Sequence, residues 1–223
     1  LFLDHYTLAR SSPDTVPRIF EPMNLFTLLA LMAFGAYLIK SREQKRRIAL
    51  LGGYLAQYQI EKLMESLTDG YLRALGEGDL ERRAQIWSML DTAEVTLCEQ
   101  FNRFVLEFSK VDEADARVSK LPLAIPYADK LFPNATFDMR KVLSIHARGL
   151  AHAAENRLGQ SQKNKAFTLS AELFLMQHSC HWYCRSKTVA SARMLALHKT
   201  PYKQLVESVA PETRKAYQTL IGS

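Results

Sequence analysis

Glycine and proline are scarce in this chain, 9 and 8 among 223 residues. So few chain-turning residues argue against a loop-rich β-sandwich and against the glycine-lined phosphate cradles of many α/β enzymes. Cysteine is scarcer still, with three, which excludes a disulfide-stapled mini-domain. Nucleotide-binding, hydrolase and zinc-protease signatures are missing: there is no Gly-x-x-x-x-Gly-Lys-Ser/Thr, Gly-x-Gly-x-x-Gly, Gly-x-Ser-x-Gly or His-Glu-x-x-His. No sustained strand-like alternation and no internal repeat is visible. What is there is ordinary globular material, 48% hydrophobic and 23% charged. That balance excludes a disordered polar tail, a collagen-like repeat and a polytopic membrane protein.

One long uncharged run stands out. Met23 to Ile39 reads MNLFTLLALMAFGAYLI, 17 residues without a charge and with Asn24 its only strongly polar side chain. As a helix it spans roughly 25 Å at ~1.5 Å per residue, at the short end for a ~30 Å hydrocarbon core. Tyr37 falls where an aromatic ring suits the lipid–water boundary. Lys40, Arg42, Lys45, Arg46 and Arg47 follow, opposed only by Glu43. A basic cluster behind an apolar run is a stop-transfer, positive-inside signal, and it places the body of the chain in the cytoplasm. A secretory signal peptide carries its charge before the run, and an interfacial helix needs a polar face. Residues 1–22 hold three prolines and no periodicity, and read as an N-terminal extension before an anchor over 23–40.

From Ser41 onward the period is helical. Leu51, Leu55, Tyr58, Leu63, Leu67, Tyr71 and Leu75 mark one amphipathic helix, with Gly52-Gly53 as a hinge or kink. Gly76 to Asp79 ends it, and Asp79 caps a second helix from Leu80 to Lys110, completing an antiparallel hairpin over 41–110. Glu94 is placed on the polar face of that second helix. Pro122, Pro126 and Pro133 divide a connection over 111–135 with one short helix around Tyr127–Leu131. A connection this long packs on the surface or carries an interaction. A third helix is expected from a cap at Asn134 or Thr136 to Leu158, and a fourth over Ala166–His198, apolar on two sides and therefore central. Thr200-Pro201 and Ala210-Pro211 open two short helices with proline at the first position. The expected fold class is all-α: a single N-terminal transmembrane helix followed by a cytosolic helical bundle over 41–223, with four long and two or more short helices.

Charge divides the chain. Residues 1–47 carry net +3, residues 48–136 net −5 and residues 137–223 net +8, which together give +6. The acidic hairpin therefore stands beside a basic half over 136–223, suited to an acidic protein surface or anionic lipid. Nucleic acid is the weakest partner, because no aromatic-plus-arginine platform and no zinc-finger spacing accompany the charge.

Two groups bear on chemistry. His178, Cys180, His181 and Cys184 share one helix, and their three- and four-residue spacings could bring three or four ligands to a soft metal such as zinc. Against this, structural zinc sites draw ligands from two elements, and a buried free cysteine is usually a small core hydrophobe. His152 and Glu155 are three apart and can hydrogen-bond, but one His-x-x-Glu is not a di-iron site. Asn134-Ala135-Thr136 matches a glycosylation acceptor and is read as a helix cap. Tyr54, Tyr58 and Tyr71 are candidates for a partner interface.

The expectation is a non-catalytic, membrane-anchored scaffold or adaptor subunit without a cofactor. It would serve a larger membrane complex, such as a bacterial secretion or transport machine in the inner membrane, and it could also self-associate. The alternative is a helical metal-binding enzyme or sensor, with His146, His152, His178, His181 and Cys180 lining its site.

Overall fold

The computed structural model describes residues 22–222, so the expected extension over 1–22 lies, apart from Pro22, outside the described residues. The described chain is predominantly helical and divides into two units between Leu38 and Ile39.

Helix α1 (Pro22–Leu55) is 34 residues long. Its N-terminal part keeps Phe26, Leu31, Phe34 and Tyr37 exposed, and the helix is long and apolar enough to cross a membrane. The sequence reading starts a separate helix at Ser41, whereas the structure runs one helix through that point. Nor do Gly52 and Gly53 kink it: both stay helical, with open space where a side chain would stand. The interruption comes at Ala56–Gln59. There the Tyr58 N–H tightens onto the Leu55 carbonyl at 2.9 Å, and the Gln59 N–H is taken by Oε1 of Gln100 at 2.7 Å. A side chain of another helix thus ends the run, which no local pattern encodes.

Helix α2 (Ile60–Gly76) packs on α3 (Leu80–Phe108). Asp79 caps α3, accepting from the Glu81 and Arg82 N–H groups at 3.0 and 2.8 Å. Leu67, Tyr71 and Ala74 on α2 and Leu97, Phe101, Phe104 and Phe108 on α3 supply the buried stripes.

The connection holds more structure than its prolines suggest. After α4 (Glu113–Ala116) comes β1 (Arg117–Ser119), then α5 (Ala128–Leu131), a 3-10 turn over Pro133–Ala135, and β2 (Thr136–Asp138). The strands pair antiparallel, Val118 opposite Phe137. Three residues are too few for an alternation to show. They form because Val118 and Phe137 are buried, Phe137 lying edge-on to Trp182 at 4.9 Å, while the Trp182 indole donates to the Ser119 carbonyl at 2.9 Å.

Helix α6 (Met139–Ala154) therefore starts later than expected. Asp138 caps it through the Arg140 N–H at 2.9 Å, because Thr136 is committed to β2 and Asn134 to the turn. It also ends before Leu158, where Asn156 takes a left-handed conformation and its amide brackets Gln160 with two 2.8 Å bonds. Helix α7 (Gln162–Cys184) is buried on most sides and packs against α6 and two later helices. The single fourth helix of the sequence reading is two: the chain breaks at Arg185, and Ser186 caps α8 (Lys187–His198) through the Val189 N–H. Pro201 is the cap of α9 (Tyr202–Ser208), not its first residue, and α10 (Pro211–Ile221) packs on α6. Gly149 permits that packing, since a Cβ there would lie 2.5 Å from both Oε2 of Glu172 and Oγ1 of Thr213.

Candidate functional site

The strongest candidate is a groove of about 720 Å³ lined from α2, α7 and α9. The stripe that buries Leu67, Tyr71 and Ala74 leaves Leu72 and Leu75 beside it, outside the core. Leu72 is 71% exposed and Phe167, on the facing helix, 58%. Phe174 and Leu205 supply further lining, and Phe174 stacks on His198 at 3.8 Å. His198 is itself fixed by Gln177 Oε1 at 3.1 Å. An apolar trough between helices, walled by Leu and Phe and rimmed by Thr68, Gln204 and Ser208, has the chemistry to take the apolar face of a partner helix.

The tyrosines singled out from the sequence do not line one surface. Tyr71 is buried, its hydroxyl donates to Glu94 Oε1 at 2.6 Å, and it reaches the groove only as part of its floor. Tyr54 and Tyr58 are half-buried, edge-on to Phe108 and Phe104 at 5.6 and 6.3 Å. The α3 phenylalanines claim them as core.

The basic cluster is divided. Arg46 ion-pairs with Asp115, and Arg47 with Glu43 at 2.8 Å while lying 5.5 Å from the Tyr183 ring centre. Arg42 and Lys45 remain exposed, and Lys40 is half-buried. The basic half contributes a second groove, about 950 Å³, between α6 and α10. In it Asp138 is neutralised by Arg140 and Glu212 lies 3.1 Å from Nδ1 of His152, while Lys141, Arg148 and Lys215 have no ion pair among the described residues.

The histidine–cysteine series does not converge. His178 is buried, bonded through Nε2 to Ser191 Oγ at 3.1 Å and stacked on Tyr202 at 4.5 Å. His181 turns toward Arg193, 3.4 Å away. Cys180 and Cys184 pack against the core, where burial pushes both thiols up, Cys184 to about 11. Thiolate, the form that binds metal, is disfavoured there. Among the described residues no group of three His, Cys, Asp or Glu side chains is placed to hold a metal. His152 pairs with Glu212 at 3.1 Å rather than with Glu155, which bonds Arg157.

Two polar clusters escape the sequence reading. Lys165 of α7 reaches Glu94 Oε2 at 2.7 Å and Asp91 at 2.9 Å, so Tyr71, Glu94 and Lys165 tie α2, α3 and α7 together. Burial works against the Lys165 charge, but the two carboxylates outweigh it and its pKa is raised. Burial, and then Glu94, push the Tyr71 phenol far above its ordinary range. Glu94 was legible after all: it follows Leu90 by four and precedes Leu97 by three, inside the apolar stripe. Deeper, His146 Nε2 meets Ser179 Oγ at 2.9 Å. Ser179 donates its own proton to the Leu175 carbonyl at 3.0 Å, so the histidine is the donor in that pair and does not activate the hydroxyl as a base would. Burial, and then His178, hold His146 down at about 3. Glu172 accepts from the Ala210 N–H at 3.0 Å, and burial raises it to about 7. These groups join helices inside the core.

No known family matches the chain, and neither a curated protein nor a solved structure resembles it.

Proposed function

We propose that the protein is a single-pass, membrane-anchored adaptor whose helical body, on the cytoplasmic side, holds a partner subunit of a larger membrane complex. The groove between α2, α7 and α9 carries this reading, because exposed Leu72, Leu75 and Phe167 cost solvation that a partner helix would recover. The apolar length of α1 supports the anchor. Exposed Arg42 and Lys45 support the cytoplasmic side. The unpaired cations of the α6–α10 groove suit an acidic region of the same partner.

Native mass spectrometry of the full chain, gently extracted from its membrane, tests the proposal. A distinct subunit at fixed ratio is expected, and it should be lost on Leu72→Glu or Phe167→Glu, both at exposed positions that leave the core intact. A lone chain, or a chain carrying a stoichiometric metal or organic ligand, would overturn it.

A further inference from the structure

The segment 121–133 is a further place where several large apolar side chains are exposed within a few residues of one another. Leu123, Ile125, Tyr127, Leu131 and Phe132 are all exposed, Leu123 at 65% and Leu131 at 62%. This is not a slack loop. Its base is held by the β1–β2 pair, extended by the Lys120 N–H bonding the Ala135 carbonyl at 2.8 Å. The Thr188 hydroxyl fixes the Pro122 carbonyl at 2.8 Å, and buried Ala128 pins the far limb. A braced backbone that leaves five large apolar groups exposed within ten residues presents apolar surface of the sort that meets another phase or another molecule.

Its neighbours indicate which. Leu121, Leu123, Ala124 and Ile125 line the same small cavity as Lys40, Glu43 and Gln44 of α1. Lys40 is the first charge after the apolar run of α1, the point at which a spanning helix leaves hydrocarbon. Cations surround the patch: Lys40 and Arg185 line the cavity, and Lys130 lies 5.3 Å from the Tyr127 ring centre. Of the two acids in that cavity, Glu43 is already paired with Arg47, and Asp129 is the one carboxylate there without an ion pair among the described residues, against the cations Lys40, Lys130 and Arg185 around it. Leucine, isoleucine and phenylalanine with an amphipathic tyrosine, ringed by lysine and arginine, is the chemistry of an interfacial membrane contact.

We propose that residues 121–133 form a second membrane contact, seating Leu123, Ile125, Tyr127, Leu131 and Phe132 in the lipid–water interface beside the point where α1 emerges. The proposal rests on reading α1 as a membrane span. The long proline-divided connection then acts as a foot that fixes the body against the bilayer.

The test uses the full chain with Cys98, Cys180 and Cys184 replaced by serine, reconstituted in vesicles of phosphatidylcholine and phosphatidylglycerol. An environment-sensitive fluorophore is placed on a single cysteine at position 123 or 131. Position 26, inside the apolar run, and position 95, exposed on α3, serve as controls. The expected result is blue-shifted emission at 123 and 131 with quenching by nitroxide-bearing lipid, as at 26, and neither effect at 95. Water-like emission at 123 and 131 while 26 is quenched would overturn the foot and leave the anchor standing. Shielding from aqueous iodide without lipid quenching would mean a protein covers the patch, which also overturns it. No quenching at 26 would remove the anchor, and the foot with it.

Discussion

Removing the charge of Lys165 tests how the body is held together. Its ammonium neutralises Glu94, a side chain only 2% exposed whose other oxygen takes the Tyr71 hydroxyl. A Lys165→Met variant keeps most of the packing of the lysine stem but strands the Glu94 carboxylate with one donor. Breaking a buried pair in this way costs about 3–5 kcal/mol. Asp91, the half-exposed third member, keeps its solvation and adds little, so about 3 kcal/mol is expected. Changing Glu94→Gln in the same chain removes the stranded charge while an amide oxygen still accepts from Tyr71. The double variant should then lie within about 1 kcal/mol of the parent, so the coupling is about 2 kcal/mol plus whatever Glu94→Gln costs alone, which the third variant of the cycle measures. Urea unfolding of the full chain in detergent reads this. Trp87, 6.0 Å from the Tyr71 ring, reports the site by fluorescence. A coupling below about 0.5 kcal/mol would show that the cluster is solvated, and the reasoning from burial would fail.

Two further predictions concern the interior. Gly149→Ala should cost about 2 kcal/mol, since its methyl would meet Glu172 and Thr213 in a fixed network. Gly70→Ala should stay within about 1 kcal/mol, because its neighbour is the pivoting end of Leu90 and the helix gains from alanine. Denaturation midpoints compare the two, and an equal loss would count against the contact argument. The second is a pH profile. His146 and His178 are held at about 3, so their contribution is whole above 6.5 and is lost as pH falls. Glu172 is raised from 4.5 to about 7, so its contribution is whole below 4.5 and is lost as pH rises. Between pH 4.5 and 6.5 these two protons oppose one, a loss on acidification of about 1.4 kcal/mol per pH unit, and His181 and His198, also held down by burial, add to it in the same direction. Glu172→Gln removes the opposing group and should steepen that slope by about 1.4 kcal/mol per pH unit; an unchanged slope would contradict the burial of Glu172.

Helix content was legible wherever an apolar stripe repeats, and Asp79 announced the start of α3 because a cap is a local device. What sequence could not supply is the action of one segment on another. Gln100 ends the first helical run by taking the Gln59 N–H, and Trp182 gathers two three-residue strands that no periodicity marks. The split of the fourth helix has a local sign in Ser186, overlooked because the apolar pattern runs on beyond it. The burial of Tyr71 was hidden for a related reason: an amphipathic side chain reads the same whether its hydroxyl meets water or a buried carboxylate. The groove of α2, α7 and α9 needs three helices brought together from distant parts of the chain, so no single stripe displays it.

If α1 is the proposed membrane anchor, the basic cluster serves two ends, packing and orientation. Arg46 keeps 69% of its side chain exposed while bonding Asp115, so that ion pair adds at most about 1 kcal/mol. What holds this stretch of α1 to the body is apolar: Leu51 is buried, and Tyr54 lies edge-on to Phe108. Arg47 is different, only 17% exposed, paired with Glu43 and set over the Tyr183 ring. Reversing Arg47 would therefore disturb packing and membrane electrostatics together, and a lost topology could be traced to neither. Arg42 and Lys45 touch nothing in the body that their reversal would break, yet they stand within one or two turns of the last apolar residue of the run. They isolate the positive-inside contribution, and orientation experiments on this chain gain their meaning from those two positions rather than from the cluster as a whole.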